Sequence, residues 1–243
     1  MSIIAIVQAR MGSQRLPGKV LQDIDGVSML ARVIQRLRKV SELKAIVIAT
    51  TDKPEDDAIV VACSELQCAV FRGSELDVLS RYYQCAVRYQ ADSVLRVTSD
   101  CPLLDPAVTS SIIQAFLTQK PDYASNCLQR SYPRGLDVEV MTLKALQSAY
   151  LEAHETYQRE HVTPYIYQHP EQFKLLPVMA PQDNSHHRWT VDEPADLEMI
   201  RMIYQNFTQQ AEFTYLEVLE LLKQKPEIAR LNQHVQQKIV SNL

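Results

Sequence analysis

The sequence predicts an α/β fold built on a mostly parallel, doubly wound sheet. Short continuous apolar runs recur along the first half of the chain, each followed by residues at helical spacing. Uninterrupted apolar runs of that length mark strands covered on both faces, and strict strand–helix alternation up to about residue 118 leads to parallel pairing with crossover helices. Polar clusters fall where such strands would end, at residues 8–19, 72–77 and 98–105, which is where sheets of this kind hold ligands.

Taken in order, residues 3–7 (IIAIV) read as the first buried strand, and Leu30, Val33, Ile34 and Leu37 as one face of the helix after it. Residues 44–50 (KAIVIAT) form a second strand. Residues 52–66 follow as a helix with an acidic first turn and Pro54 near its start. Residues 68–72 are a third strand; Val78, Tyr82, Cys85 and Tyr89 mark the next helix, with Tyr82, Tyr83 and Tyr89 on its core or rim face. Residues 93–100 are another strand, and Asp105-Pro106 caps a helix carrying Ile112, Ile113 and Phe116. From about residue 120 the alternation loosens. A turn at Pro133-Arg134-Gly135 leads into a strand at 136–141, expected as part of a small projecting β segment. A helix at 143–156, a strand at 173–179, a short apolar stretch before a Pro turn and helix (RWTVDEPADLEMI), and an amphipathic tail helix at 213–240 complete the chain, which reads as one domain over 1–243.

Bulk properties narrow the function. A chain of 243 residues with 46% hydrophobic content can bury a full core, and a net charge of −4 gives no sign of nucleic-acid binding. Five cysteines without a CxxC pair suit free thiols in a reducing cytosol. With no signal-peptide pattern and no apolar stretch of membrane-spanning length, the expected location is the cytoplasm, off the membrane.

The loop after the first strand carries Arg10, Gly12, Ser13, Arg15, Pro17, Gly18 and Lys19. Glycines let backbone N–H groups approach a ligand, arginines fork onto phosphate oxygens, and lysine adds a mobile point charge. It is neither a Walker A nor a GxGxxG motif; the plainer alternative is a solvated basic loop. In RVTSDCPLLD, Asp100 lies just past a strand, where a carboxylate can hold Mg²⁺ or merely cap a turn. Asp192 in TVDEP has the same context and the same two readings. Paired, the two would form one metal site. Two carboxylates brought together without a cation would repel, so Asp→Asn at either position is expected to relieve strain in the metal-free chain. His186-His187 reads as a loop pair and Trp189 as core.

Six blocks occurring in one order, VQARMGSQRLPGKVL, GSELDVLSRYY, RVTSDCPLLDP, PRGLDVEV, REHVTPY and TVDEPADLEMI, resemble the cytidylyltransferase family of bacterial surface-sugar synthesis. The nearest branch is the spore coat polysaccharide biosynthesis protein F type; CMP-KDO synthetases and acylneuraminate cytidylyltransferases are more distant. The resemblance spans about residues 3–204 and implies a nucleotide-diphospho-sugar transferase fold. It also implies a reaction in which CTP and an acidic sugar give CMP-sugar and pyrophosphate with Mg²⁺. Arg10 and Lys19 would hold the triphosphate, assisted by Arg15 and the Gly12-Ser13 backbone, and Asp100 and Asp192 would hold the metal. Arg72 and Arg81 fall where relatives place nucleotide-contacting arginines. CMP-KDO synthetases carry a Gln near the base two residues before the first metal aspartate; here the residue is Thr98. Residues of about 120–180 are the expected acceptor and dimerisation segment, with Arg134, Asp137, Glu139, Arg159, Glu160 and His161 as acceptor candidates or, equally, a surface ion-pair cluster. A different NTP, a sugar phosphate acceptor, a glycosyltransferase of similar fold and a non-catalytic nucleotide-binding subunit are the alternatives. A glycosyltransferase would be expected to show a DxD motif, whereas Asp100 and Asp105 stand five apart; a degenerate subunit would lack one of Arg10, Lys19, Asp100 or Asp192, and all are present. The resemblance also implies a homodimer. Sedimentation is expected to show a dimer at micromolar concentration, and a monomer there rules that assembly out.

Overall fold

A computed structural model describes residues 1–210 and 212–237. Its first strand, β1 (Ile3–Gln8), is followed by a two-strand hairpin, β2 (Asp23–Ile24) and β3 (Val27–Ser28), and then helix α1 (Met29–Leu37). Next come β4 (Leu43–Thr51), α2 (Asp57–Glu65), β5 (Ala69–Gly73), α3 (Val78–Arg88), β6 (Ser93–Thr98) and α4 (Pro106–Gln119). The second half contains β7 (Tyr123–Ser125), β8 (Glu139–Thr142), α5 (Leu143–Glu152), α6 (Thr156–His161), α7 (Pro164–Gln168) and β9 (Leu175–Pro177). Helices α8 (Pro194–Asn206), α9 (Tyr215–Gln224) and α10 (Pro226–Arg230) follow.

Seven strands form the main sheet in the order β5-β4-β1-β6-β8-β7-β9. The left side, β5 through β6, is parallel, and β8 enters antiparallel beside β6 and β7. The central strands are buried on both faces because helices cover both. Ala5, Val7, Leu95 and Val97 pack with α1, α2, α4 and α8 on one face. Ile4, Ile6 and Val94 pack with α3, α5 and α7 on the other. That two-sided burial is why these strands are continuous apolar runs rather than alternating ones.

The helix starts follow their caps. Asp77 accepts from Ser80 N at 2.9 Å at the start of α3. Asp105 accepts from Val108 N at 3.0 Å at the start of α4, as expected, and also from Tyr215 N at 2.7 Å, so one carboxylate caps α4 and anchors the tail. All five cysteines are free. Among the described residues no helix is long and apolar enough to cross a membrane.

Several elements differ from expectation. The strand expected to project does not: its residues 139–142 are β8, inside the main sheet. The small separate β segment is instead the hairpin β2–β3, whose turn carries Asp25 and Gly26 at positive φ. The helix expected over 143–156 breaks at Ala153, and α6 starts anew with a capping box at Glu155. The tail divides at Pro226, where the missing N–H and the ring end α9; its expected end at 238–240 lies outside the described residues. The apolar stretch before Asp192 is extended chain, joined to Arg134 only by a lone parallel bridge at Arg188.

That bridge rests on Gly135, which has φ of +106° and meets the 189–190 backbone so closely that a Cβ would lie 2.6 Å from the Trp189 carbonyl carbon. Gly26 shares the positive φ, at +79°, but has nothing within 4 Å. Gly135→Ala is therefore expected to cost about 3 kcal/mol, combining backbone strain with a clash against main chain. Gly26→Ala is expected to cost only about 1 kcal/mol from its φ alone. Urea unfolding of both variants measures the difference, and equal losses refute the packing role of Gly135.

Candidate functional site

An open cleft of about 930 Å³ lies at the carboxyl ends of β1 and β6, and its lining includes Arg10, Ser13, Arg15, Lys19, Thr98, Asp100 and Asp192. Three separate stretches of chain converge here. The loop after β1 turns back because Gly18, at φ +67°, lets its N–H reach Met11 O at 3.0 Å. The loop is pinned from below by Asp56, a buried carboxylate that accepts from Met11 N at 2.7 Å and Thr51 N at 3.1 Å. Beyond β6, the Asp100 carbonyl accepts from Val191 N at 2.9 Å, which fixes the loop bearing Asp192 beside it.

Lys19 joins all three. Its ammonium donates to Asp100 Oδ2 at 2.8 Å, to Asp192 Oδ1 at 2.9 Å and to the Val191 carbonyl at 2.7 Å. Burial by itself would lower the Lys19 pKa, but the two carboxylates outweigh it and raise it. Asp192 is also held by Arg15 at 3.0 Å and by Arg188 at 2.9 Å through its other oxygen. Burial would raise its carboxyl, yet Lys19, then Arg188 and Arg15, bring it down to about 2. Arg188 also binds the fully buried Asp196, which accepts from the backbone N–H groups of Asp192 and Glu193 and so sets the turn into α8. Asp100 Oδ1 accepts from Thr98 Oγ1 at 2.6 Å.

The aspartates thus come together as expected, but they do not repel: Lys19 stands between them. The expected relief on Asp→Asn substitution is overturned, because either change removes a charge partner of a buried ammonium. The pair fits Mg²⁺. Two carboxylates converge on one point, and among the described residues no cluster of three or more His, Cys, Asp or Glu supplies further ligands. Mg²⁺ takes one or two carboxylates and completes its shell with water and substrate phosphates.

Other expected residues divide. Arg10 reaches only Glu75, at 3.8 Å, and is otherwise open to the cleft. Gly12 is exposed in the same loop. Arg134, Asp137, Glu160 and His161 line the cleft. Asp137 is paired with Arg130 at 2.6 Å. Arg134 is half-buried with no ion pair among the described residues, and burial followed by the nearby Arg130 lowers its pKa. Burial lowers the His161 imidazole too.

Arg72, Arg81, Glu139 and Arg159 are not among the lining residues. Arg72 is spent on Asp57 and the Thr51 and Lys53 carbonyls at the sheet edge. Arg81 is buried beneath Gly73 and donates to the Ser74 carbonyl, bracing the 73–77 loop. Arg159 clamps Asp77 and the Tyr150 carbonyl. Glu139 is a buried counter-ion, accepting from Arg96, from Tyr123 at 2.5 Å and from Thr163 at 2.7 Å. Sequence reasoning missed Arg96, Gln8, Arg188 and Asp56. Arg96 was findable, because the strand period of two puts it on the same face as Thr98. Asp56 and Arg188 carry no such signal, since their partners are remote in sequence or hidden in a turn.

Comparisons with known proteins identify the family. A sequence model of the family described as cytidylyltransferase matches residues 4–234. The chain is 33% identical to the spore coat polysaccharide biosynthesis protein SpsF of Bacillus subtilis, over 93% of this chain and 96% of that one. It is 33% identical to a 3-deoxy-manno-octulosonate cytidylyltransferase of Trichlorobacter lovleyi over 48% of this chain and 46% of that one. A solved cytidylyltransferase from Leptospira borgpetersenii superposes with a TM-score of 0.91 at 32% identity, covering 98% of this chain and 99% of that one. The chain belongs to the cytidylyltransferase family and is a nucleotidyltransferase.

The depressed Asp192 carboxyl makes a pH prediction. A carboxyl at about 2 when folded and near 3.8 when unfolded adds stability above pH 3.8, and that stability is lost as pH falls toward 2. Asp192→Asn is expected to lose about 2 kcal/mol at neutral pH and to flatten the fall in stability between about pH 4 and 2. Denaturant unfolding across that range checks it; an unchanged acid limb means the pairing with Lys19 contributes nothing.

Proposed function

We propose that the protein transfers a cytidylyl group from CTP to an acidic sugar, giving CMP-sugar and pyrophosphate for surface-glycan synthesis. The observation that carries the proposal is the meeting of Asp100, Asp192 and Lys19 beside the cationic loop after β1. A hydroxyl of the sugar attacks the α-phosphorus as the bond to the β-phosphate breaks, and the negative charge that develops leaves on pyrophosphate. Arg10 and Arg15 face the cleft and hold that charge in position, with Ser13 and the adjoining backbone assisting. Lys19, already desolvated, is the third cation. Asp100 and Asp192 would hold Mg²⁺, which neutralises phosphate charge and assists departure of the leaving group. Arg134, which has no ion pair among the described residues, takes the carboxylate of the acceptor. The chemistry rests on positioning and charge, with no covalent nucleophile needed.

Pyrophosphate release screened over four NTPs and a panel of sugar acids is expected to show CTP preferred and release dependent on Mg²⁺ and an acid. Lys19→Ala is expected to lower turnover by about 10²-fold or more, the effect of removing one preorganised charge from a developing anion. Asp100→Asn and Asp192→Asn are expected to lose Mg²⁺-dependent release. Release that is indifferent to CTP over the other NTPs, or full activity in Asp192→Asn, defeats the proposal.

A further inference from the structure

One residue that lines the cleft, Gln237, comes from the far end of the chain. Helix α10 packs against α8 and α9, and a turn at 231–234 follows it, with the buried side chains of Ile228 before and Val235 after. The turn carries Asn232, which is only 4% exposed. A buried side-chain amide is costly unless it is hydrogen-bonded, and this one is bonded twice. Asn232 Nδ2 donates to the Arg188 carbonyl at 2.9 Å and to Asp196 Oδ1 at 2.9 Å.

Those two acceptors are the two ends of a clamp. Arg188 Nε donates to Asp196 Oδ1 at 2.9 Å, and Nη2 donates to Asp196 Oδ2 at 3.1 Å. Nη2 also donates to Asp192 Oδ2 at 2.9 Å, and Nη1 donates to Gln237 Oε1. All three guanidinium nitrogens are engaged, so the plane has one orientation. Asn232 fixes both the main chain from which this side chain starts and the carboxylate that it grips. The clamp ends on Asp192. With Oδ2 held by Arg188 and by Arg15 at 3.0 Å, Oδ1 is left turned toward Lys19 and the point shared with Asp100. Hydrogen bonds that orient a metal ligand are worth about 10–100-fold in metal affinity, so the clamp has a function beyond stability.

We propose that Asn232 is a positioning residue for the reaction. By holding Arg188 at its carbonyl and Asp196 at its carboxylate, it keeps Asp192 Oδ1 directed to the place where a divalent cation would sit. This rests on the proposed Mg²⁺ pair and adds the C-terminal segment to it. Asn232 is not among the lining residues and acts only through Arg188 and Asp196.

The experiment compares the binding of CTP alone with that of CTP saturated with Mg²⁺, by calorimetry with no acceptor present. Wild type is expected to bind the Mg²⁺ form at least about tenfold more tightly, and Asn232→Leu to lose most of that gain while its Kd for CTP alone stays within about threefold. Ile228→Ala, which opens the same helix without touching Arg188, is expected to lower the melting temperature and keep the gain. Arg188→Lys keeps a cation but cannot span both aspartates, and it is expected to lose the gain as Asn232→Leu does. Adding Asn232→Leu to it then costs little more, because the two act in series. Should Asn232→Leu not fold, Asn232→Ser, which keeps one donor, makes the same comparison. An asparagine variant that keeps the full gain, an equal loss in Ile228→Ala, or losses that multiply in the double variant overturns the positioning role and leaves the transfer reaction standing. No gain from Mg²⁺ in wild type overturns the metal pair, and the role of Asn232 falls with it.

Discussion

The architecture of the site depends on one buried ammonium. Lys19 ties the loop after β1, the end of β6 and the loop before α8 to a single point, with its donors directed at Asp100, Asp192 and the Val191 carbonyl. Each of those stretches meets the ammonium just past the end of a strand or just before a helix. A half-satisfied arrangement would be unstable, since an ammonium or carboxylate stripped of water without a partner costs several kcal/mol. The rest of the fold supplies the supports that make the convergence affordable: Asp56 beneath the first loop, Asp196 beneath the last, and Gly135 where the backbone passes too close for a side chain.

Charge in the cleft is distributed unevenly, and that unevenness sorts the ligand. Arg15, Lys19 and Arg188 are matched by Asp192, Asp100, Glu193 and Asp196, whereas among the described residues Arg10 has only a distant glutamate and Arg134 has none. The matched group is held rigid and poised around the aspartates. The unmatched arginines face the cleft and favour anionic groups on either side of it. Farther along β6, Arg96 is matched again, and the cleft turns neutral. Anionic groups are thus favoured beside Arg10 and Arg134 more than beside Arg96.

The sheet was largely legible in the sequence, for a physical reason. Strands buried on both faces are expected as continuous apolar runs, and β1 and the middle of β4 are. The meeting of Asp100 and Asp192 was legible because each follows apolar chain and precedes a Pro turn. What was hidden was the side of the fold where long-range pairing overrides local pattern. The 136–141 segment has strand chemistry but nothing local to say that β8 would insert between β6 and β7. Arg72, Arg81, Arg159 and Glu139 looked functional by residue type. Arg72, Arg159 and Glu139 are instead held by partners away from the cleft, such as Asp77 for Arg159, and Arg81 is buried against the 73–74 turn. Composition cannot separate a charge that braces a loop from one that meets a ligand.

On the proposed reaction, Mg²⁺ would need the same oxygens that Lys19 engages. Asp100 Oδ2 and Asp192 Oδ1 are both engaged by the ammonium. A divalent ion arriving alone would have to displace a charge already hydrogen-bonded three ways and leave it buried without a partner. Arriving with a triphosphate, it brings the anion that the displaced ammonium needs. The exchange would then conserve ion pairs, the carboxylates passing from lysine to metal as lysine passes to phosphate. On the proposed reaction the lysine would thus stand in for the metal before binding and meet the nucleotide after it, and the intramolecular pairs that join the three stretches of chain would keep its cations positioned.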